Sequence, residues 1–127
     1  MVIDRAVYSR IEVTGKRITL CGSTRFPEAF EYWNTQLTLA GNIVYSVALM
    51  PHHANVEGIL TIEEKSMLDR IHLRKIDNSD MIFVMDVGGY IGESTRREIE
   101  YAKAHNKKVL LLSRFTVSDQ LSLAMSA

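Results

Sequence analysis

Apolar positions along this chain fall into two kinds of run. Arg17–Cys21, Asn42–Ser46, Met81–Met85 and Lys108–Leu112 are short apolar stretches bounded by glycine or polar residues. They are too short for helices and read as buried strands. Between them apolar residues recur at helical spacing: Phe30, Trp33, Leu37 and Ala40 in one segment, and Leu68, Ile71, His72 and Ile76 in the next. Pro27 suits a first helical turn, and Gly41 suits the position just past the last one. Thr61-Ile-Glu-Glu64 is a capping-box pattern that opens a helix predicted to end near Asn78-Ser79. A third helix is predicted over 94–106, starting near Ser94 or Thr95.

The alternation strand, helix, strand, helix, strand, helix, strand predicts right-handed crossovers and a sheet covered on both faces. The expected class is α/β: a flavodoxin/Rossmann-like three-layer α/β/α sandwich with a mainly parallel four- to five-stranded sheet. One domain over 1–127 is expected. The loops after Cys21, Ser46, Met85 and Leu112 then share one carboxyl edge. A ligand site belongs there, between the first and third strands, where strand order reverses.

Three segments sit outside this pattern. Val7, Ile11 and Val13 alternate with Tyr8, Arg10 and Glu12, which predicts a strand turned back antiparallel at Thr14-Gly15-Lys16; residues 1–16 form an edge strand or an oligomer arm. Residues 47–60, with Pro51, His52 and His53, read as a long irregular connection of the kind that is functional or mobile. Residues 118–127 read as a short terminal helix.

Composition narrows the function classes. Fifteen basic and fifteen acidic side chains give a formal net charge of zero, which argues against a nucleic acid polymer as partner. No stretch approaches a membrane span and the first residues lack a signal-peptide core, so a cytoplasmic location is expected. The single cysteine, Cys21, lies inside an apolar run and reads as a buried small hydrophobe. His52 and His53 are adjacent and do not converge naturally on one ion, so no metal is expected.

Candidate chemistry gathers at two loops. Gly22-Ser23-Thr24-Arg25 offers backbone N–H groups, two hydroxyls and a guanidinium ahead of a helix, a combination suited to phosphate or sugar hydroxyls. The other reading is a tight turn with Arg25 in solvent. It is neither a Walker A loop nor a dinucleotide fingerprint. The second stretch is Asp80-Met-Ile-Phe-Val-Met-Asp86-Val-Gly-Gly-Tyr90-Ile-Gly92-Glu93-Ser94-Thr-Arg-Arg-Glu98-Ile-Glu-Tyr101-Ala. Glu98 reads in two ways. Thr95-x-x-Glu98 is a capping-box pattern, which needs no catalysis to explain it. Alternatively, a carboxylate in the first helical turn is kept ionised by the helix dipole, as a nucleophile requires. Phe26 and Tyr90 either stack on a base or simply pack. Asp77 and Asp80, at the opposite end of the sheet, read as turn or cap residues.

The stretch from Ile18-Thr-Leu-Cys-Gly22-Ser through Asp80–Asp86 to Gly92-Glu-Ser-Thr-Arg-Arg-Glu98-Ile-Glu-Tyr101-Ala102 resembles the nucleoside 2-deoxyribosyltransferase superfamily, which includes the 2′-deoxynucleoside 5′-phosphate N-hydrolases. The resemblance covers roughly residues 17–113. It implies that Glu98 is the nucleophile attacking the anomeric carbon. It also implies that Ser23 and Arg25 hold a 5′-phosphate, and that Asp86 matches an aspartate closing the third strand.

The chain departs from the family at three places. His72 stands where the transferases place a base-handling aspartate; it is either a core histidine or a neutral or cationic proton donor. Glu100 replaces a glycine before Tyr101. The tail after Leu112 is short, whereas in the transferases later segments, partly from a neighbouring subunit, complete the acceptor site.

The expected function is therefore cleavage or transfer of the N-glycosidic bond of a (deoxy)nucleoside or nucleoside 5′-monophosphate, with hydrolysis expected over transfer. Asp86, Glu93 or His72 would protonate the departing base. Gly22, Ser23, Thr24, Arg25, Phe26, Tyr90, Gly92, Glu93 and Ser94 would form the substrate site. No organic cofactor is required, and a homo-oligomer is expected. The alternatives are a nucleotide-binding or sensing module without turnover, and a glycohydrolase acting on NAD or a nucleotide sugar.

Overall fold

The computed structural model describes residues 3–47 and 60–115. His52, His53 and the expected terminal helix over 118–127 lie outside them. The chain begins with a one-turn helix, α1 (Arg5–Tyr8), and continues through β1 (Arg17–Cys21), α2 (Pro27–Leu39) and β2 (Ile43–Tyr45). Then come α3 (Ile62–Asp77), β3 (Met81–Val84), α4 (Glu93–Ala104) and β4 (Lys108–Leu111). The four strands form one all-parallel sheet in the order β2-β1-β3-β4. This is the α/β, flavodoxin/Rossmann-like arrangement, and the order reverses between β1 and β3.

Side-chain alternation along the strands divides the core. Ile18 and Leu20 of β1, with Met81 and Phe83 of β3, pack with Phe30 and Leu37 of α2. Cys21 of β1, with Ile82 and Val84 of β3, points to the other face, against Ile76 of α3 and Ala102 of α4. Strands buried on both faces read as continuous apolar runs, the pattern the sequence carries. Trp33 extends the first face through edge-to-face contacts with Phe83 and Phe115, at ring-centroid distances of 5.4 and 5.2 Å.

Helix boundaries follow local chemistry where that chemistry is free to act. At α3 both halves of the capping box form: the Thr61 hydroxyl accepts from the Glu64 N–H, and the Glu64 carboxylate accepts from the Thr61 N–H. Pro27 opens α2, and Gly41 follows it with φ +102°.

The expected strand near the start of the chain is corrected. Asp4 caps α1 by accepting from the N–H groups of Ala6 and Val7. The fully buried amide of Gln36 then binds both the N–H and the carbonyl of Asp4. Ile11 and Val13 still enter the core, but as extended chain outside the sheet. There is no antiparallel return at Gly15, because the Asn42 side chain binds Val13 O and Lys16 N and pins this segment to the α2–β2 turn. Ile71 is also corrected: it is 41% exposed, whereas His72 and Ile76 form the buried stripe of α3.

Asp77 and Asp80 lie at the end of the sheet opposite the switch-point loops. Asp80 accepts from the backbone and side chain of Arg17, which lowers its pKa. Asp77 accepts from the Tyr101 hydroxyl at 2.6 Å. No helix among the described residues is long and apolar enough to cross a membrane.

Candidate active site

A cavity of about 380 Å³ opens at the carboxyl edge between β1 and β3. Its walls come from the loop after β1, from α3 and the entry to α4, and from Val47 after β2 and Leu60 before α3. The loop after β1 contributes Gly22, Ser23 and Thr24. The entry to α4 contributes Tyr90, Gly92, Glu93, Ser94 and Thr95, with Glu98 one turn further on. α3 contributes His72, already a candidate from the sequence, together with Lys65, Asp69, Ile71 and Lys75, which the sequence did not single out as site residues. Their signal was their spacing on a helix leading into β3, readable only once that helix is placed beside the cavity.

Gly22 brings the two loops together. A β-carbon there would meet the carbonyl oxygen of Met85 at 3.2 Å, so the β1 loop lies against the end of β3 because residue 22 has no side chain. Tyr90 covers the same corner. Its ring stacks under the Arg25 guanidinium, 4.3 Å from the centroid, and meets Phe26 edge-on at 6.3 Å. Arg25 and Phe26 therefore brace Tyr90 rather than lining the cavity themselves.

The helix predicted to start at Ser94 or Thr95 begins earlier, at Glu93, after Gly92. Thr95 is thus inside the helix and buried, and no side chain caps the end. This removes the capping reading of Glu98. Its carboxylate is one turn into α4, on the stripe that carries Thr95 and Ala102, and it points to the place where β1, α3 and the cavity meet.

Three side chains converge there from separate segments. Cys21 ends β1, His72 comes from the middle of α3, and Glu98 comes from α4. Cys21 Sγ lies 3.5 Å from His72 Nε2, and His72 Nε2 lies 3.8 Å from Glu98 Oε1. All three donor atoms fall within 4.8 Å of one another. The side chains of His72 and Glu98 are only 10% and 19% exposed.

Burial governs their charge states. It raises the Glu98 pKa from 4.5 to about 7, against a thiol hydrogen bond from Cys21 that lowers it. The helix dipole does not prevail, so the expectation of a permanently ionised carboxylate is corrected. Burial likewise lowers His72 from 6.5 to about 4, with Lys75 acting in the same direction. Desolvation thus favours the neutral form of His72 at pH 7 over the cationic proton donor. The 3.8 Å approach is accordingly not an ion pair at neutral pH. Cys21 is held as a thiol, its pKa raised by burial and then by the Glu98 charge.

Asp86 serves another purpose. It is buried, and its two oxygens accept from the backbone N–H and the hydroxyl of Ser113 at 2.9 and 2.6 Å. It ties the end of β3 to the turn after β4 and, unlike the expected proton donor, is not among the residues that line the cavity. Glu93 does line it, 3.8 Å from Arg97 across one helical turn.

Compared with family models, curated proteins and solved structures, the chain matches none. The functional reading therefore rests on this geometry and on the residues themselves. A neutral, desolvated imidazole and a carboxyl poised near pH 7 line the cavity, with the Cys21 thiol buried behind them. The uncapped N-terminus of α4 supplies backbone N–H groups at its rim, as anion sites require.

Proposed function

We propose that this protein cleaves the N-glycosidic bond of a nucleoside or nucleoside 5′-monophosphate, with Glu98 as nucleophile. The carrying observation is the Glu98 carboxyl, half-buried, lining the cavity and free of any backbone-capping role. The resemblance of Gly92–Ala102 to the nucleoside 2-deoxyribosyltransferase superfamily assigns the same residue.

In this mechanism ionised Glu98 attacks the anomeric carbon as the bond to the base breaks. The sugar becomes esterified to Glu98, and the base leaves with its bonding electrons and gains a proton. Water then attacks the anomeric carbon and releases free Glu98 and the sugar. A neighbouring carboxylate also stabilises the oxocarbenium-like transition state. Neutral His72, held in its pocket beside Cys21, orients Glu98 without competing for its charge. Solvent at the cavity rim, beside Glu93, supplies the proton to the base. The N–H groups at the start of α4, with Ser23 and Thr24, receive the sugar hydroxyls or the phosphate. Arg25, stacked on Tyr90, adds positive charge at the mouth. Hydrolysis is proposed ahead of transfer.

The test is incubation with a panel of nucleosides, deoxynucleosides, their monophosphates, NAD and a nucleotide sugar, followed by chromatography for released base. Free base from a deoxynucleoside or its monophosphate supports the reading. Release from NAD or the nucleotide sugar alone would move the donor class while keeping the chemistry. No base from any donor would contradict it.

A further inference from the structure

The same convergence has a second chemical capacity. A thiol, an imidazole nitrogen and a carboxylate oxygen lie within 4.8 Å of one another, supplied by β1, α3 and α4. Around a four-coordinate zinc, with Zn–S about 2.3 Å and Zn–N about 2.0 Å, tetrahedral angles put S and N about 3.5 Å apart. Cys21 Sγ and His72 Nε2 are 3.5 Å apart. The corresponding N–O separation is about 3.4 Å, and His72 and Glu98 stand at 3.8 Å. Those two separations are within a few tenths of an ångström of the values around an ion, while Cys21 Sγ and Glu98, within 4.8 Å of each other against about 3.6 Å around zinc, need the Glu98 side chain to move in by up to about an ångström.

We propose that Cys21, His72 and Glu98 form a three-ligand site for a zinc-class divalent metal, open toward the cavity. The donor set is one soft thiolate, one imidazole and one carboxylate, which suits zinc and its neighbours and does not suit magnesium or calcium. Charge balance agrees. Binding displaces the thiol proton of Cys21 and any proton on Glu98 to solvent. The two ligand charges then neutralise a dication, leaving a buried site with no net charge. His72 and Glu98 both line the cavity, so the remaining coordination position faces it.

The ligation does not depend on the glycosidase reading, and it has its own readout. Co²⁺, which takes zinc's place with visible colour, is titrated into the full chain while the thiolate-to-cobalt charge-transfer absorption is followed. One equivalent should produce the band, and Zn²⁺ should bleach it. Cys21→Ser should abolish the band. His72→Gln should weaken Co²⁺ binding by at least about 100-fold, since even residues that merely support metal ligands cost 10- to 100-fold. Replacing both His52 and His53 by alanine should leave the band unchanged. Circular dichroism establishes that each variant is folded, and His72→Gln carries the test if Cys21→Ser is not. A folded wild-type chain that gives no charge-transfer band, or a band that survives both Cys21→Ser and His72→Gln, would overturn the site.

Discussion

His72 Nε2 lies 3.8 Å from Glu98 Oε1, yet the two are not an ion pair at neutral pH. Burial pushes them apart in titration, the imidazole down to about 4 and the carboxyl up to about 7. Proton affinities separated in this way by their surroundings are characteristic of sites that do chemistry.

Base release should therefore follow the ionisation of Glu98. The groups acting on it besides burial are Cys21 of β1, Asp69 and Lys65 of α3, and Arg97 of its own helix. The active form is deprotonated, so kcat/KM should rise with pH up to about 7 and level off above it. A profile already flat from pH 5 upward would contradict this assignment.

Stability carries the opposite sign for the two groups. A carboxyl raised in the folded state stabilises fully below 4.5, and that contribution is lost as pH rises to about 7. A histidine lowered in the folded state contributes above 6.5, and that contribution is lost as pH falls to about 4. Between 4.5 and 6.5 the two slopes oppose. Glu98→Gln should therefore leave stability little changed near pH 4.5 and raise it by up to about 3 kcal/mol relative to wild type at pH 8. Urea denaturation at the two pH values measures this difference.

Asp86→Ala removes the acceptor for two hydrogen bonds from Ser113. It should cost about 1–2 kcal/mol in denaturant unfolding, because two hydrogen bonds are lost while the exposed Ser113 can turn to water. The activity of the folded fraction should change far less than it does on substitution of Glu98.

Tyr90→Leu removes the ring beneath Arg25. An exposed cation–π contact is worth about 0.5–1 kcal/mol. KM for a nucleoside monophosphate should rise roughly two- to fivefold, with a smaller change for the unphosphorylated nucleoside. Equal changes for both would place the role of Tyr90 at the base or sugar.

Zinc joins the two proposals. A Glu98 carboxylate bound to a metal cannot attack carbon. One equivalent of Zn²⁺ should suppress base release and a chelator should restore it; undiminished turnover in the zinc-loaded protein would separate the metal site from the reaction.

The parallel sheet and its switch point were legible because strands buried on both faces leave continuous apolar runs such as Met81–Val84. The capping pattern was less reliable. Thr61-x-x-Glu64 forms the full box, while Thr95-x-x-Glu98, with the same spacing, does not, because α4 already starts at Glu93 and Thr95 is buried inside it. Asp4 likewise heads a helix only because Gln36, far along the chain, binds its backbone. Glu98 could be singled out from its own neighbourhood. Its proton affinity could not, since burial at the joint with Cys21 and His72 depends on three segments meeting. The cysteine read as a small hydrophobe is indeed buried, but it ends its strand facing those two donors.

The most direct measurement is the rate of base release by Glu98→Gln against wild type on the best nucleotide donor, with mass spectrometry of the acid-quenched wild-type protein. Loss of the attacking group should slow release by at least about 10³-fold, and a glycosyl adduct should map to the peptide carrying Glu98. Release at the wild-type rate by Glu98→Gln would contradict the account.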